Sequence, residues 1–252
     1  MLTSPQFTAL TCDRLMQRGI AAYRIFNLTL IAGLTFTLGQ AAPQPDYLRT
    51  ALAAINPAVP SGWAYTQITI QNKITITERY DPAKPAAEQW TLLQYNGQPP
   101  TNKELAQYRP FKATNAPSLA QTVFSPRDIE PESLELIREN PERAIYTGRF
   151  REAATASDKM LGHLQIQLTI NKSQHWVERI TLELLAPYSP VLGVKMNELT
   201  VTMDFTVPSP DQPSLPTTRS SHFTGRILLF SNEENILVTY ENYTRRPPPP
   251  AE

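Results

Sequence analysis

Apolar and polar side chains alternate residue by residue in many segments after residue 60, which is the pattern of a β-strand with one buried face. In the segment 164–170, leucine or isoleucine alternates with glutamine or threonine, and Leu168 lies on the apolar side. The segments around Ile180 and Leu182, and the segment 199–207, repeat this period of two. The alternation predicts strands that are covered on one face only.

About ten segments of this kind follow one another with short polar connections. The other predicted strands are 68–70 and 74–76, joined by a tight hairpin turn at Gln71-Asn72, and 90–95, 134–138, 143–151, 222–230 and 235–243. The spacing lacks the strand-helix-strand rhythm that a parallel sheet requires. The expected fold class is mainly β: a curved antiparallel sheet of about ten strands that forms an incomplete barrel around one or two helices, with a two-sheet sandwich as the alternative.

Two helices are expected beside the sheet. The segment 46–55 carries Tyr47, Leu48 and Leu52 at helical spacing, and Asn56-Pro57 ends it. Thr101 and Glu104 have the spacing of a capping box, which predicts a short helix to about Arg109.

Proline is unusually frequent, with 24 residues against 9 glycines. The prolines from Pro82 to Pro216 lie between the proposed strands, where proline is tolerated because it cannot donate to a strand ladder. The run Pro247–Pro250 predicts a polyproline tail, either a solvated chain end or a docking peptide.

The N-terminus has the parts of a secretory signal peptide. Arg14, Arg18 and Arg24 precede an apolar run at 25–38, and small residues lead to an expected cleavage after Ala41. The run is short for a membrane span, although an uncleaved anchor is the alternative. The expected organisation is a signal peptide at 1–41, a single half-barrel domain at 42–244 and a proline-rich tail at 245–252, and the expected location is the periplasm.

The true start is either Met1 or Met16, since a leader that begins at Met16 has a more usual length. Cleavage removes Cys12, the only cysteine, so the exported chain has no thiol and no stable transmembrane span. A chain without thiols suits an oxidising compartment.

Charge and composition exclude several classes of function. The 23 basic and 23 acidic side chains cancel, which argues against a nucleic-acid partner and against a polybasic membrane-surface protein. One cysteine and three scattered histidines, His163, His175 and His222, predict no metal site, and no cofactor is expected. The sequence has no nucleophile elbow, zinc-protease motif or phosphate loop.

The one carboxylate pair that could act in hydrolysis is Glu78 and Asp81, which flank Arg79. A strand-end ion pair running into an Asp-Pro turn explains the same residues. We therefore expect no enzyme, and keep a carboxylate-dependent hydrolase as the minor alternative.

Aromatic residues provide the candidate ligand site. Trp63 and Tyr65 share a strand face, and Trp90 opens another strand. These residues either fill a sheet core or line an apolar pocket between the sheet and its helices. The predicted ligand-binding residues are Trp63, Tyr65, Trp90, Leu168, Ile180 and Leu182.

Short motifs between residues 60 and 244 support the same interpretation. They are Trp63-Ala64-Tyr65, Glu78-Arg79-Tyr80-Asp81-Pro82, Trp90-Thr91-Leu92-Leu93, Pro187-Tyr188-Ser189-Pro190, Gly193-Val194-Lys195-Met196 and Tyr240-Glu241-Asn242-Tyr243. They resemble a group of uncharacterised exported proteins of Gram-negative bacteria, which is itself similar to the lipoprotein-carrier class. That class wraps an incomplete antiparallel barrel around helices to hold acyl chains, so the resemblance implies an apolar half-barrel cavity. It assigns no binding residue, because the carriers' functional arginine and aromatic positions cannot be placed on this sequence.

The expected function is a non-catalytic periplasmic binding or carrier protein for a lipid or other apolar small molecule, in envelope or lipoprotein transport. The alternative is an envelope structural or interaction protein that engages a protein partner through its sheet surface or tail.

Overall fold

Ten antiparallel strands form one open sheet in the computed structural model, which describes residues 44–115, 124–228 and 230–246. The strands are β1 (Trp63–Gln71), β2 (Ile74–Tyr80), β3 (Trp90–Tyr95), β4 (Glu135–Glu139), β5 (Arg143–Gly148), β6 (Leu164–Asn171), β7 (Trp176–Leu184), β8 (Val194–Phe205), β9 (Pro216–Ile227) and β10 (Phe230–Arg245). The helices are α1 (Asp46–Ala54), α2 (Asn102–Asn115) and α3 (Glu152–Ser157), with 3₁₀ turns at Ala86–Glu88, Pro126–Asp128, Pro131–Ser133 and Leu161–His163. The predicted fold class, mainly β with one antiparallel sheet of ten strands and few helices, is confirmed.

The strand order is β3-β2-β1-β10-β9-β8-β7-β6-β5-β4. Strands that follow one another in sequence are neighbours, except that β1 pairs with β10 and the chain crosses from β3 to β4. β3 and β4 are therefore the two edges, and the sheet does not close.

One row of paired residues crosses the whole sheet. In sheet order the row is Tyr95, Ile76, Thr69, Val238, Arg219, Met203, Ile180, Leu168, Tyr146 and Leu136. Directly opposed residues of antiparallel strands lie on the same face. The row therefore marks one continuous face, here called the inner face, which carries most of the apolar side chains.

Helix α1 packs on the inner face at β6 and β7. Its Leu48 and Ala51 are buried, together with Leu168, Ile180 and Leu182 beneath it. The burial of β6 alternates without exception between buried and partly buried, as its period-two sequence predicts. Burial of these apolar side chains is the main favourable term that holds the helix to the sheet.

The helices begin as predicted. The capping box is present, because the backbone N–H of Thr101 donates to Glu104 Oε2 at 2.7 Å and that of Glu104 donates to Thr101 Oγ1 at 3.3 Å. The predicted end near Arg109 is wrong, since α2 continues to Asn115. Pro110 removes one helical N–H donor without ending the helix.

The β1–β2 hairpin turns at Asn72 and Lys73, one residue later than predicted, and both have positive φ. The predicted start of β9 at His222 is also wrong. This strand begins at Pro216, a residue that the sequence interpretation placed between strands. The first position of a strand accepts proline because a ladder hydrogen bond is not lost there.

Gly225 lies where β8 and β9 approach each other too closely for a side chain. A Cβ atom added to it would lie 2.4 Å from the carbonyl oxygen of Lys195 and 2.6 Å from Phe223 Cζ. We expect Gly225→Ala to lower the free energy of unfolding by about 1–3 kcal/mol, because the strand backbone must move. Urea denaturation measures this change. Gly162→Ala is the matched control, since its nearest neighbour would be Thr155 Cβ at 3.5 Å, and an equal loss in both variants would contradict the steric explanation.

The predicted signal peptide and the Pro247–Pro250 run lie outside the described residues. Strand β10 continues to Arg245, and the N–H of Arg246 donates to the carbonyl oxygen of Gly62 at 2.7 Å. Within the described ranges, no helix has the length and apolar character needed to span a membrane.

Candidate ligand-binding site

The three predicted aromatic residues lie in one cluster at the β10-β1-β2-β3 end of the inner face. The ring centroids of Tyr65 and Trp90 are 5.9 Å apart, in an edge-to-face arrangement. Trp63 reaches the cluster through Tyr243, whose ring lies 6.4 Å from that of Trp63 and 5.8 Å from that of Tyr65. Trp63, Tyr65 and Trp90 are each at most 9% exposed, so these rings pack against one another.

Tyr80 and Tyr240 complete this aromatic cluster, with ring centroids 5.2 and 5.8 Å from that of Tyr65. Burial raises the pKa of Tyr65, Tyr240 and Tyr243 above the usual tyrosine value. The Tyr243 hydroxyl donates a hydrogen bond to the carbonyl oxygen of Pro216 at 2.7 Å, which joins β10 to the start of β9.

The three predicted aliphatic residues lie elsewhere on the sheet. Leu168, Ile180 and Leu182 are fully buried in the core below α1. Strands β8 and β9 separate them from β10 and the aromatic cluster. The structure therefore places the six predicted residues in two separate groups.

Beside these two groups, the inner face carries apolar side chains that are only partly buried, and polar residues such as Thr69, Gln71 and Glu234 lie among them. We call this surface the open face and define it by Ile74, Ile76, Leu199, Phe223, Ile236 and Val238. Val238 and Ile236 are in register with Ile76 and Ile74 through β1, and Phe223 pairs with Leu199. The open face continues the rows of the fully buried core, but its side chains retain contact with solvent.

Arg219 lies in the middle of the inner face, in register between Val238 and Met203. Its side chain is partly buried, and it forms no ion pair or hydrogen bond with another residue of the part of the chain that the structure describes. Its charge is close enough to Tyr240 to oppose the effect of burial on the pKa of that hydroxyl. A guanidinium that lies between Val238 and Met203, with no partner among the described residues, is an expected recognition site for an anionic group.

Glu78 and Asp81, the candidate hydrolytic pair, have different surroundings. Glu78 is only 3% exposed, accepts a hydrogen bond from Gln67 Nε2 at 3.3 Å and lies beside the Tyr108 hydroxyl. Burial, and next the negative charge of Glu78, raises the pKa of Tyr108. Asp81 accepts the N–H of Ala83 at 3.1 Å and forms an ion pair with Arg246 at 3.5 Å. These contacts give Asp81 a role in the turn after β2 and connect Glu78 to α2.

A cleft of about 280 Å³ lies at the C-terminal end of α1. Its walls come from that helix end, the β6–β7 turn and the β8–β9 loop, and they include Ile55, Trp176, Val177 and Phe205. None of the six predicted residues is among its lining residues. The cleft is therefore an apolar concavity apart from both predicted groups.

Sequence reasoning missed Arg219 because the predicted strand began three residues after it. The sequence had no signal for it, because polar residues dominate the segment 216–221 and no apolar alternation is visible there. Ile236 and Val238 lay within a predicted strand, but alternation cannot tell a fully buried position from a partly exposed one.

Comparisons of the chain with family models, with curated proteins and with solved structures gave no match.

Proposed function

We propose that the protein is a non-catalytic binding or carrier protein of the periplasm and that it binds a lipid-like ligand on the open face. The observation that carries the proposal is the continuity of the inner face, which is fully buried at Ile180 and Leu182 but partly exposed at Ile236 and Val238. An acyl chain laid across the open face would remove this apolar surface from water, at about 25 cal/mol per Å².

Arg219 supports a ligand with an anionic head group. A carboxylate or phosphate bound to the guanidinium would place the attached alkyl chain along the neighbouring apolar residues, because Val238 and Met203 flank Arg219 in register. The substrate class that fits is an anionic amphiphile, with fatty acids as the simplest member.

Arg219→Gln tests this assignment. We expect delipidated protein to bind a fluorescent fatty acid, and the variant to bind it roughly ten- to a hundredfold more weakly, because a hydrogen bond to a charged group contributes about 1.5–3 kcal/mol. Affinity for the matching fatty alcohol should change little, since the alcohol has no charge. Fluorescence titration measures both affinities, and Arg138→Gln, an exposed arginine on β4, is the matched control.

Two further variants locate the ligand. Ile236→Ser with Val238→Ser makes the open face polar, whereas Ala54→Phe fills the cleft that Ala54 lines. Loss of uptake in the first and normal uptake in the second supports the open face. The reverse result, or no uptake of fatty acid by the unaltered protein, would overturn the proposal.

A further inference from the structure

Two loops meet at one end of β8, β9 and β10 and expose large apolar side chains together. Leu192, in the loop before β8, is fully exposed, and Leu228 and Phe230 at the β9–β10 turn are 70% and 76% exposed. Val191 is also exposed. We call these four residues the apolar tip. Soluble proteins seldom leave such a group in water without an interaction that uses it.

The backbone joins the two loops of the apolar tip. The N–H of Leu228 donates to the carbonyl oxygen of Gly193, and a Cβ atom on Gly193 would lie 2.9 Å from Leu228 Cδ2. Leu228 has a φ of 57°, which is unfavourable for a leucine, while Gly193 has a φ of 83°. The turn thus holds an apolar side chain outward at a position where glycine or asparagine would be less strained.

Charge is distributed unevenly around the apolar tip. Neither the loop 185–193 nor the segment 227–230 contains a charged residue. Directly behind them, Lys195 and Arg226 are exposed and opposite each other in register. Neither side chain forms an ion pair with another described residue. The first acidic residues, Glu198 and Glu233, lie farther from the tip along β8 and β10.

We propose that the apolar tip inserts into the surface of a lipid bilayer that contains anionic head groups. An uncharged apolar end with cations just behind it matches the layers of a membrane interface, where apolar side chains enter the acyl region and Lys or Arg meets the head groups. A protein surface would also accept the apolar side chains, but the two unpaired cations favour an anionic lipid surface. The tip shares no residue with the open face, so the two proposals can fail separately.

Site-specific labelling tests insertion directly in the full chain. Cys12 is the only cysteine, so Cys12→Ser provides a background for Leu192→Cys or Phe230→Cys carrying an environment-sensitive fluorophore. With vesicles of phosphatidylethanolamine and phosphatidylglycerol, we expect a blue shift and quenching by brominated acyl chains at both positions. Ile137→Cys is the matched control, because Ile137 is an exposed apolar residue on edge strand β4, and its label should stay in water. The N-terminal apolar run is the same in all labelled proteins and cannot cause a difference between positions.

Vesicle flotation of unlabelled variants measures the contribution of each group. Leu192→Ser with Phe230→Ser should reduce partitioning about a hundredfold, since each side chain loses its burial in the acyl region. Lys195→Gln with Arg226→Gln should reduce it about 25-fold on anionic vesicles, which is about fivefold for each cation, and hardly at all on phosphatidylcholine. Lys84→Gln with Lys103→Gln removes two other exposed cations and should have little effect.

Three results would overturn the proposal. One is a label at residue 192 that stays in water while the protein is bound to vesicles. Another is unchanged partitioning of the Leu192→Ser, Phe230→Ser variant. The third is a blue shift without vesicles that grows with protein concentration, which would mean that the tip joins two copies of the chain. The side chains substituted in the flotation variants are all exposed, so unfolding midpoints of these variants should remain close to that of the unaltered protein.

Discussion

The free energy of unfolding should fall steeply above about pH 10, by roughly 1.4 kcal/mol per pH unit for each tyrosine whose hydroxyl stays protonated in the folded protein. Burial holds the pKa of Tyr65 and Tyr243 well above that of an exposed tyrosine. In the folded protein these hydroxyls keep their protons, whereas in the unfolded chain they ionise near pH 10. Their stabilising effect is therefore complete below about pH 10 and is lost as the pH rises toward the raised pKa values, at about 3 kcal/mol per unit for the two together.

Tyrosinate absorbance and circular dichroism, followed in one alkaline titration, measure this coupling. Ionisation of the aromatic cluster should coincide with unfolding. Tyr65→Phe should reduce the slope of the unfolding free energy against pH by about 1.4 kcal/mol per unit, which is the effect of one proton. The free energy of unfolding below pH 9 should change far less. Reversible ionisation of every tyrosine near pH 10, in a protein that stays folded, would show that the cluster is open to water.

Leu182→Ala should lower the free energy of unfolding by about 2–5 kcal/mol, because it leaves a cavity in a fully buried position. Leu182 pairs with Ile166 on one side and Val201 on the other, and both neighbours are buried. Chemical denaturation of the purified variant gives the change directly.

Ile236→Ala is the matched comparison. Ile236 lies on the same face but is only partly buried, so its truncation should cost clearly less stability. If the open face binds the ligand, Ile236→Ala should weaken fatty-acid binding more than Leu182→Ala does. If Leu182→Ala were nearly neutral for stability and abolished binding, Leu182 would line a ligand cavity, as the sequence interpretation expected, instead of the core.

The strands themselves were predictable from the chain. Period-two alternation identified β6 and β7, because the residues on one of their faces are mostly buried and those on the other are mostly partly exposed. It identified β9 poorly, because the segment from Pro216 to Ser221 has polar side chains on both faces. Arg219 lies between Thr217 and Ser221 on one face of this segment, so no apolar alternation marks the strand there, and for this reason Arg219 was missed.

The candidate site depended on contacts between distant segments. Trp63, Tyr65 and Trp90 come together with Tyr243 because β1 pairs with β10, a pairing that joins the two ends of the sheet-forming chain. Alternation in one strand contains no information about its neighbours. Likewise, sequence could not separate the aromatic cluster from the core that contains Leu168 and Ile180.

By itself, the amino-acid sequence determined that this chain forms an antiparallel sheet with one apolar face, since side-chain direction alternates along any strand. Only the tertiary structure decided which part of that face is covered. Helix α1 occupies the inner face at β6 and β7, so Leu168, Ile180 and Leu182 are core residues. Ile236 and Val238 lie on the same face but stay partly exposed, because burial of a strand face depends on where another segment packs and not on the sequence of the strand.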